Sequence, residues 1–222
     1  MDRIKMLEDL ERFVEEYGFL PYCGNDKQSL FTLSSLTDNE WHDGSSTDPW
    51  LWRMQIAQKG EQAYGKFFRN KTGFVSKACI PAFFAVRREN RSFDELYAEG
   101  LVSRRAKQVW DCFEFRSTWT FQELKSQSGF AGQRAEFDAA LSELQGLFFL
   151  CISGQSQRIN QKGEPYGWPN NDFTRMDALF PIDADEQMER DEAEAYLKDC
   201  VRRIGSFPDK AVQRLLYAGG IR

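Results

Sequence analysis

The side chains able to do chemistry in this chain are few, and most stand alone. His42 is the only histidine among 222 residues and lies in a polar loop, Trp41-His-Asp-Gly44. A zinc site needs further His or paired Cys ligands. A His-based triad needs a serine elbow. Neither accompanies His42. The five cysteines, Cys23, Cys79, Cys112, Cys151 and Cys200, are scattered and odd in number, with no pair at zinc-type spacing. They read as reduced core thiols of a cytoplasmic protein. No phosphate loop of the GxxxxGK(S/T) type occurs, so nucleotide hydrolysis has no support. The carboxylates gather in two helical stretches, 1–17 and 184–204, as solvated faces do. The sequence therefore calls for no cofactor and no metal, and assigns no catalytic residue.

What remains is the chemistry of holding a polyanion. The formal charge is −5, but it is unevenly spread. Residues 1–48 carry four basic and eleven acidic groups, and residues 49–91 carry nine basic and two acidic ones. Within that basic segment Lys66, Arg69, Lys71, Lys77, Arg87 and Arg88 are candidate phosphate contacts. The competing account has them neutralise the acidic N-terminal helix, and charge asymmetry alone does not choose. Trp50, Trp52, Tyr64, Phe67 and Phe68 are interleaved with them. If exposed, these aromatics suit base stacking; large aromatics more often fill a core. Further along, Gln133 and Arg134 open a helix and could read adenine and guanine edges. Glu136, Asp138 and Glu143 on the same helix would repel phosphates. Gln155, Gln157, Arg158 and Lys162, with Asn160 and Gln161, make a more favourable polar segment.

These residues need elements to position them, and the stretch 117–168 is the most legible. Thr120-Phe-Gln-Glu123 is a capping box, flanked by Trp119 and Leu124 as a hydrophobic staple. A short helix follows and stops near Gly129. A second helix starts near Gly132, with Phe137, Ala140, Leu141, Leu144 and Phe148 at helical spacing. Leu147-Phe-Phe-Leu-Cys-Ile152 then reads as a strand, and 154–167 as a wing. Helix, turn, helix, strand and wing make a winged helix, a shape that commonly places its second helix in the DNA major groove. Ser103 caps a preceding helix, and Ser92-Phe-Asp-Glu95 is another capping box. Upstream, the spacing predicts a helix over 3–17 and short strands within 19–36. It then predicts a helix over 49–58, a hairpin turning at Asn70-Lys-Thr-Gly73, and a helix over 77–88. Downstream, helices are expected over 184–204 and 208–218. The fold class is α+β. The expected domains are an N-terminal α+β domain over 1–91, a winged helix over 92–182 and C-terminal helices over 183–222. A degenerate second winged helix is the alternative for the first domain. Hydrophobic residues make up 41% of the chain, enough for a sizeable core. No run of about 18 apolar residues exists to span a membrane, and residues 1–17 lack the apolar centre of a secretory signal.

Several segments together carry a family resemblance. Pro49-Trp-Leu-Trp-Arg53, Ala63-Tyr-Gly-Lys-Phe-Phe68, Gly73-Phe-Val-Ser-Lys77, Phe93-Asp-Glu-Leu-Tyr97 and Gln161-Lys-Gly-Glu-Pro-Tyr-Gly-Trp168 resemble the bacterial AlkZ-related proteins. That group is similar to the winged-helix DNA glycosylases that unhook interstrand crosslinks and excise alkylated purines. The resemblance implies tandem winged helices around a DNA-binding channel, with double-stranded DNA as the partner. Active members are considerably longer and use a Gln–hydrophobic–Gln or Gln–hydrophobic–Asp motif near the amino terminus. Here the only Gln-x-Gln is Gln155-Ser-Gln157, which has a polar centre and lies in the wing. The expected function is therefore DNA binding without glycosylase catalysis. The alternatives are a winged-helix module that binds protein, and an N-glycosylase using an unrecognised group.

Overall fold

The computed structural model of the chain describes residues 3–23, 31–69, 71–160 and 162–221. Helix α1 (Leu7–Tyr17) buries Leu10, Phe13 and Val14 at i, i+3 and i+4 and ends at Gly18, whose φ of 92° favours glycine. It begins later than the spacing suggests, because Ile4 instead pairs its amide with the Leu36 carbonyl. Strand β1 (Phe19–Pro21) follows. Residues 33–36 were expected as strand but form a helical turn, α2 (Leu33–Leu36), started by a Thr32–Ser35 capping box. Asp48 caps α3 (Pro49–Lys59), with proline at its first position and Gly60 left-handed at its end.

Next come β2 (Gln62–Phe68) and β3 (Lys71–Ser76). Phe68 already pairs with Lys71, so Lys71, Thr72 and Gly73 belong to the strand and not to the turn. Arg69 adopts a positive φ there, and Asn70 lies outside the described residues. A 3-10 turn over 77–79 leads into α4 (Ile80–Arg88), with Pro81 in its first turn as expected. The Ser92 capping box opens α5 (Phe93–Ala98), and Ser103 caps α6 (Arg104–Trp110).

A three-residue strand that the sequence reading missed, β4 (Thr118–Thr120), ends in the Thr120 capping box of α7 (Phe121–Gln127). Helix α8 (Arg134–Gly146) precedes β5 (Leu150–Ser156) and β6 (Asn170–Arg175). The strand begins at Leu150 and not Leu147, because Phe148 turns into the left-handed region at φ 59°. Its ring sits flat between those of Phe67 and Phe83, at 4.4 and 4.8 Å. Stacking and full burial there offset the strain of a bulky residue at positive φ. The chain ends with α9 (Met176–Leu179), α10 (Arg190–Ile204) and α11 (Asp209–Leu216).

The strands form one six-stranded sheet in the order β1-β3-β2-β5-β6-β4, every neighbouring pair antiparallel. The seam between the halves of the chain is β2 against β5, where Tyr64 faces Ile152. The core runs across the same seam: Phe19, Phe67, Phe74 and Phe83 from one half bury with Phe137, Phe148 and Phe180 from the other. The fold is therefore mixed α and β around one sheet, and sheet and core both continue across position 91. No helix among the described residues is long and apolar enough to cross a membrane.

Candidate nucleic-acid interface

The basic segment does not present its charge on one face. Arg87 is fully buried, and its guanidinium donates to the carbonyls of Phe67 (3.1 Å), Gly146 (3.2 Å) and Leu215 (2.9 Å). Burial pulls its pKa down to about 9. Arg88 is also buried, packed over the rings of Phe84 at 3.8 Å and Phe149 at 4.4 Å. Burial lowers its pKa to about 10. Neither guanidinium is placed to meet a phosphate, which corrects the expectation for both. The apolar context of α4, Ile-Pro-Ala-Phe-Phe-Ala-Val, was the signal that both arginines would go inward.

Lys77 is exposed but lines a hollow with Glu11, Glu15 and Glu61, and Lys59 pairs with Glu11 at 2.5 Å. Lys66 and Arg69 share a different hollow of about 290 Å³ with Ser142, Gly146 and Gly219. The Lys66 amide donates to Gln145 Oε1 at 3.0 Å, which ties the strand to α8. Lys71 lies half-buried on β3.

Helix α8 offers little surface for base reading. Gln133 and Arg134 are exposed at its start, with Ala135 and Ala139 on the same open side. Arg134 is paired to Asp138 at 2.9 Å and lies 4.7 Å from the centre of the Phe121 ring. Glu143 was expected to face phosphates. It instead accepts from the Ser103 amide (2.7 Å) and hydroxyl (2.6 Å), fastening α8 to α6.

The connection between β5 and β6 is folded back on itself. Ile159 bridges Pro165, and Asn160 Oδ1 accepts the amides of Lys162 (2.8 Å) and Glu164 (3.0 Å). Arg158 lies 4.6 Å from the Tyr166 ring centre and donates to that residue's hydroxyl at 3.0 Å. Gln157 donates to the carbonyls of Tyr166 and Gly167, both at 3.3 Å. Lys162 is exposed at the tip, and Gln161 lies outside the described residues.

At the root of this connection is a cleft of about 450 Å³, lined by His42, Asp48, Trp50, Leu51, Arg53, Gln155, Trp168 and Asn171 among others. Strands β5 and β6 supply Gln155 and Asn171. The connection between them supplies Trp168, which is 79% exposed. Helix α3 supplies Trp50 and Arg53, with the guanidinium 3.7 Å above the Trp50 ring centre. The loop before α3 supplies His42, whose ring centre is 4.5 Å from that of Trp50. Asp48 holds the loop by accepting the amides of His42 (3.0 Å), Gly44 (3.1 Å) and Trp50 (2.8 Å). Burial alone would raise the Asp48 pKa, but these backbone bonds outweigh it and the pKa is lowered.

The cleft thus combines an exposed indole, a cation-backed indole and the amides of Gln155 and Asn171. Indoles stack on flat π-systems of any base, and amides hydrogen-bond their edges. Of the interleaved aromatics, Trp52, Tyr64, Phe67 and Phe68 are core, and Trp50 reaches the cleft. Reading the sequence missed Trp168, Arg53 and Asn171 as site residues. A tryptophan beside Gly167 and Pro169 in an otherwise polar wing was the available signal. Asp172, next along β6, has a carboxyl pKa raised by partial burial; it accepts from Ser156 at 2.7 Å and is not among the residues lining the cleft.

A family model described as AlkZ related matches residues 4–216. Among solved structures, the Streptomyces sahachiroi DNA glycosylase AlkZ is similar at 14% identity with a TM-score of 0.40. That match covers 70% of this chain and 43% of the other, so the chain spans less than half the length of that relative. No curated protein matches.

Proposed function

Because the chain belongs to the AlkZ-related family, we propose that it binds DNA as a winged-helix protein, without glycosylase turnover, through the wing and the aromatic cleft at its root. The observation that carries this reading is the pairing of Trp168 and Trp50 around one cleft, with Arg53 and Arg158 close by. Support for the winged helix comes from the element order α6, β4, α7, α8, β5, wing, β6. The likeness of the family to crosslink-unhooking and alkylpurine glycosylases favours double-stranded DNA as the partner. Lys66, Arg69, Lys71 and Lys162 remain as auxiliary phosphate contacts; Arg87, Arg88 and Lys77 do not. Turnover is left out because Gln155-Ser-Gln157 lacks a hydrophobic centre and Gln157 is engaged by wing backbone.

A fluorescently labelled duplex titrated at two salt concentrations tests the reading. Trp168→Ala should weaken binding by about 1–3 kcal/mol, roughly fivefold to a hundredfold, if a base stacks there. Arg69→Ser should weaken all sequences alike and flatten the salt slope by about one unit if Arg69 meets a phosphate. Incubation with alkylated DNA should release no free methylpurine. A second reading is a module that binds protein, favoured by the scattering of the basic segment among a buried pair, an acidic hollow and a small surface cluster. Absence of any duplex binding at low salt would select it.

A further inference from the structure

Two cysteines 121 residues apart in sequence meet in the core, and neither lines the cleft. Cys79 ends the 3-10 turn between β3 and α4, and Cys200 lies on α10. Both are buried, and their sulfurs are 3.9 Å apart. Gly18 makes room for them: a Cβ there would overlap the Cys79 sulfur and crowd that of Cys200.

Their surroundings differ. Arg203 Nη2 donates to Cys200 Sγ at 3.2 Å, while Arg203 Nη1 donates to the Glu16 carbonyl of α1 at 2.7 Å. Asp199 lies 3.6 Å from the same guanidinium. Cys79 Sγ donates to the Tyr196 hydroxyl at 3.8 Å, with the Ser76 hydroxyl nearby. The contact with Cys79 and the Arg203 guanidinium lower the Cys200 pKa against the burial that would raise it. The same contact, together with burial, pushes the Cys79 pKa up. The guanidinium bonded to Cys200 Sγ marks that sulfur as the better nucleophile of the two, with Cys79 placed to resolve it.

We propose that Cys79 and Cys200 form a reversible oxidation site that closes to a disulfide in the presence of a peroxide. The Cys200 thiolate attacks one oxygen of hydrogen peroxide. The O–O bond breaks, an S–O bond forms, and hydroxide leaves, giving a sulfenic acid. The Cys79 sulfur then attacks the Cys200 sulfur. The S–S bond forms as the S–O bond breaks, and the departing hydroxide carries off the Cys79 proton as water. Two thiols and one peroxide yield one disulfide and two waters. A disulfide needs about 2.05 Å between sulfurs, so the pair, now at 3.9 Å, must close by roughly 2 Å. Arg203, 44% exposed and bonded to Cys200 Sγ, connects the buried sulfur to the surface. The closed bond fastens α10 to the junction of β3 and α4.

The experiment treats the reduced full chain with hydrogen peroxide, alkylates it under denaturing conditions and maps the peptides by mass spectrometry. The expected result is loss of two of the five thiols, a Cys79–Cys200 linked peptide, and full reversal by dithiothreitol. In Cys79→Ser, dimedone should trap a sulfenic acid on Cys200. In Cys200→Ser, Cys79 should remain a thiol. Arg203→Gln should raise the pH of half-maximal iodoacetamide alkylation of Cys200 relative to the unsubstituted chain. Five free thiols after treatment, a different linked pair, or linkage only at temperatures where circular dichroism shows unfolding would each overturn the proposal. The peptide map of the unsubstituted chain decides even where a serine variant fails to fold.

Discussion

Asp48 is the residue on which the geometry of the cleft rests. Its carboxylate gathers three amides from the loop and the start of α3, beside the bonds that Asn39 and Trp52 give to the Thr47 and Ser46 carbonyls. Because its folded pKa is lowered, the unfolded chain takes up the proton first as pH falls. Its contribution is fully present above the unfolded value of about 3.9 and is lost as pH drops through the lower folded value. Asp48→Asn should therefore be less stable than the unsubstituted chain at pH 7, by about 1 kcal/mol, the difference between amide bonds to a charged and to a neutral acceptor. The difference should shrink towards pH 3. Urea midpoints at both pH values measure this, and a gap that stays constant would show that the charge is not what holds the loop. A proline-started helix was legible from the residues alone. That Asp48 caps it and fixes His42 beside Trp50 was not, because the sequence does not state how a polar loop folds over a helix end.

At the scale of elements, α8 is held by its neighbours from both sides. Glu143 clasps the Ser103 cap of α6, and Gln145 accepts from the Lys66 amide of β2. Ser103 also accepts the Ala106 amide, so it serves the helix start and the helix–helix contact together. Ser103→Ala and Glu143→Gln should each destabilise by about 1–2 kcal/mol, and the double variant by clearly less than their sum. A thermal or urea double-mutant cycle reads the coupling directly; strict additivity would mean that the two side chains act separately. Helix positions and caps were legible because their periodicity and capping chemistry are local. The start of β5 was not. An apolar run such as Leu147 to Ile152 reads as strand throughout, and only the placement of the Phe67 and Phe83 rings makes Phe148 turn inward.

For the whole molecule, a continuous sheet and a shared core join the halves on either side of residue 91. Unfolding should accordingly follow one transition, with far-ultraviolet and tryptophan-fluorescence signals coinciding in urea. Two separated transitions would mean that the seam at Tyr64 and Ile152 is weaker than the bodies it joins. The α+β class followed from alternating patterns along the chain, whereas the pairing of β2 with β5 left no local trace. The candidate site was half legible for the same reason. Charge and wing residues could be counted, but a cleft assembled from residues 42–54 and 155–171 exists only once the two stretches meet. That meeting has a consequence for synthesis. Strand β2 is made about 90 residues before its partner β5, given the Tyr64–Ile152 pairing. At roughly 5–20 residues per second on the ribosome, one edge of the β2–β3 hairpin waits several seconds with unpaired amides and carbonyls. During that interval the nascent chain is open to strand pairing with its neighbours, so its yield should depend on translation speed and chaperone supply more than its final stability would suggest.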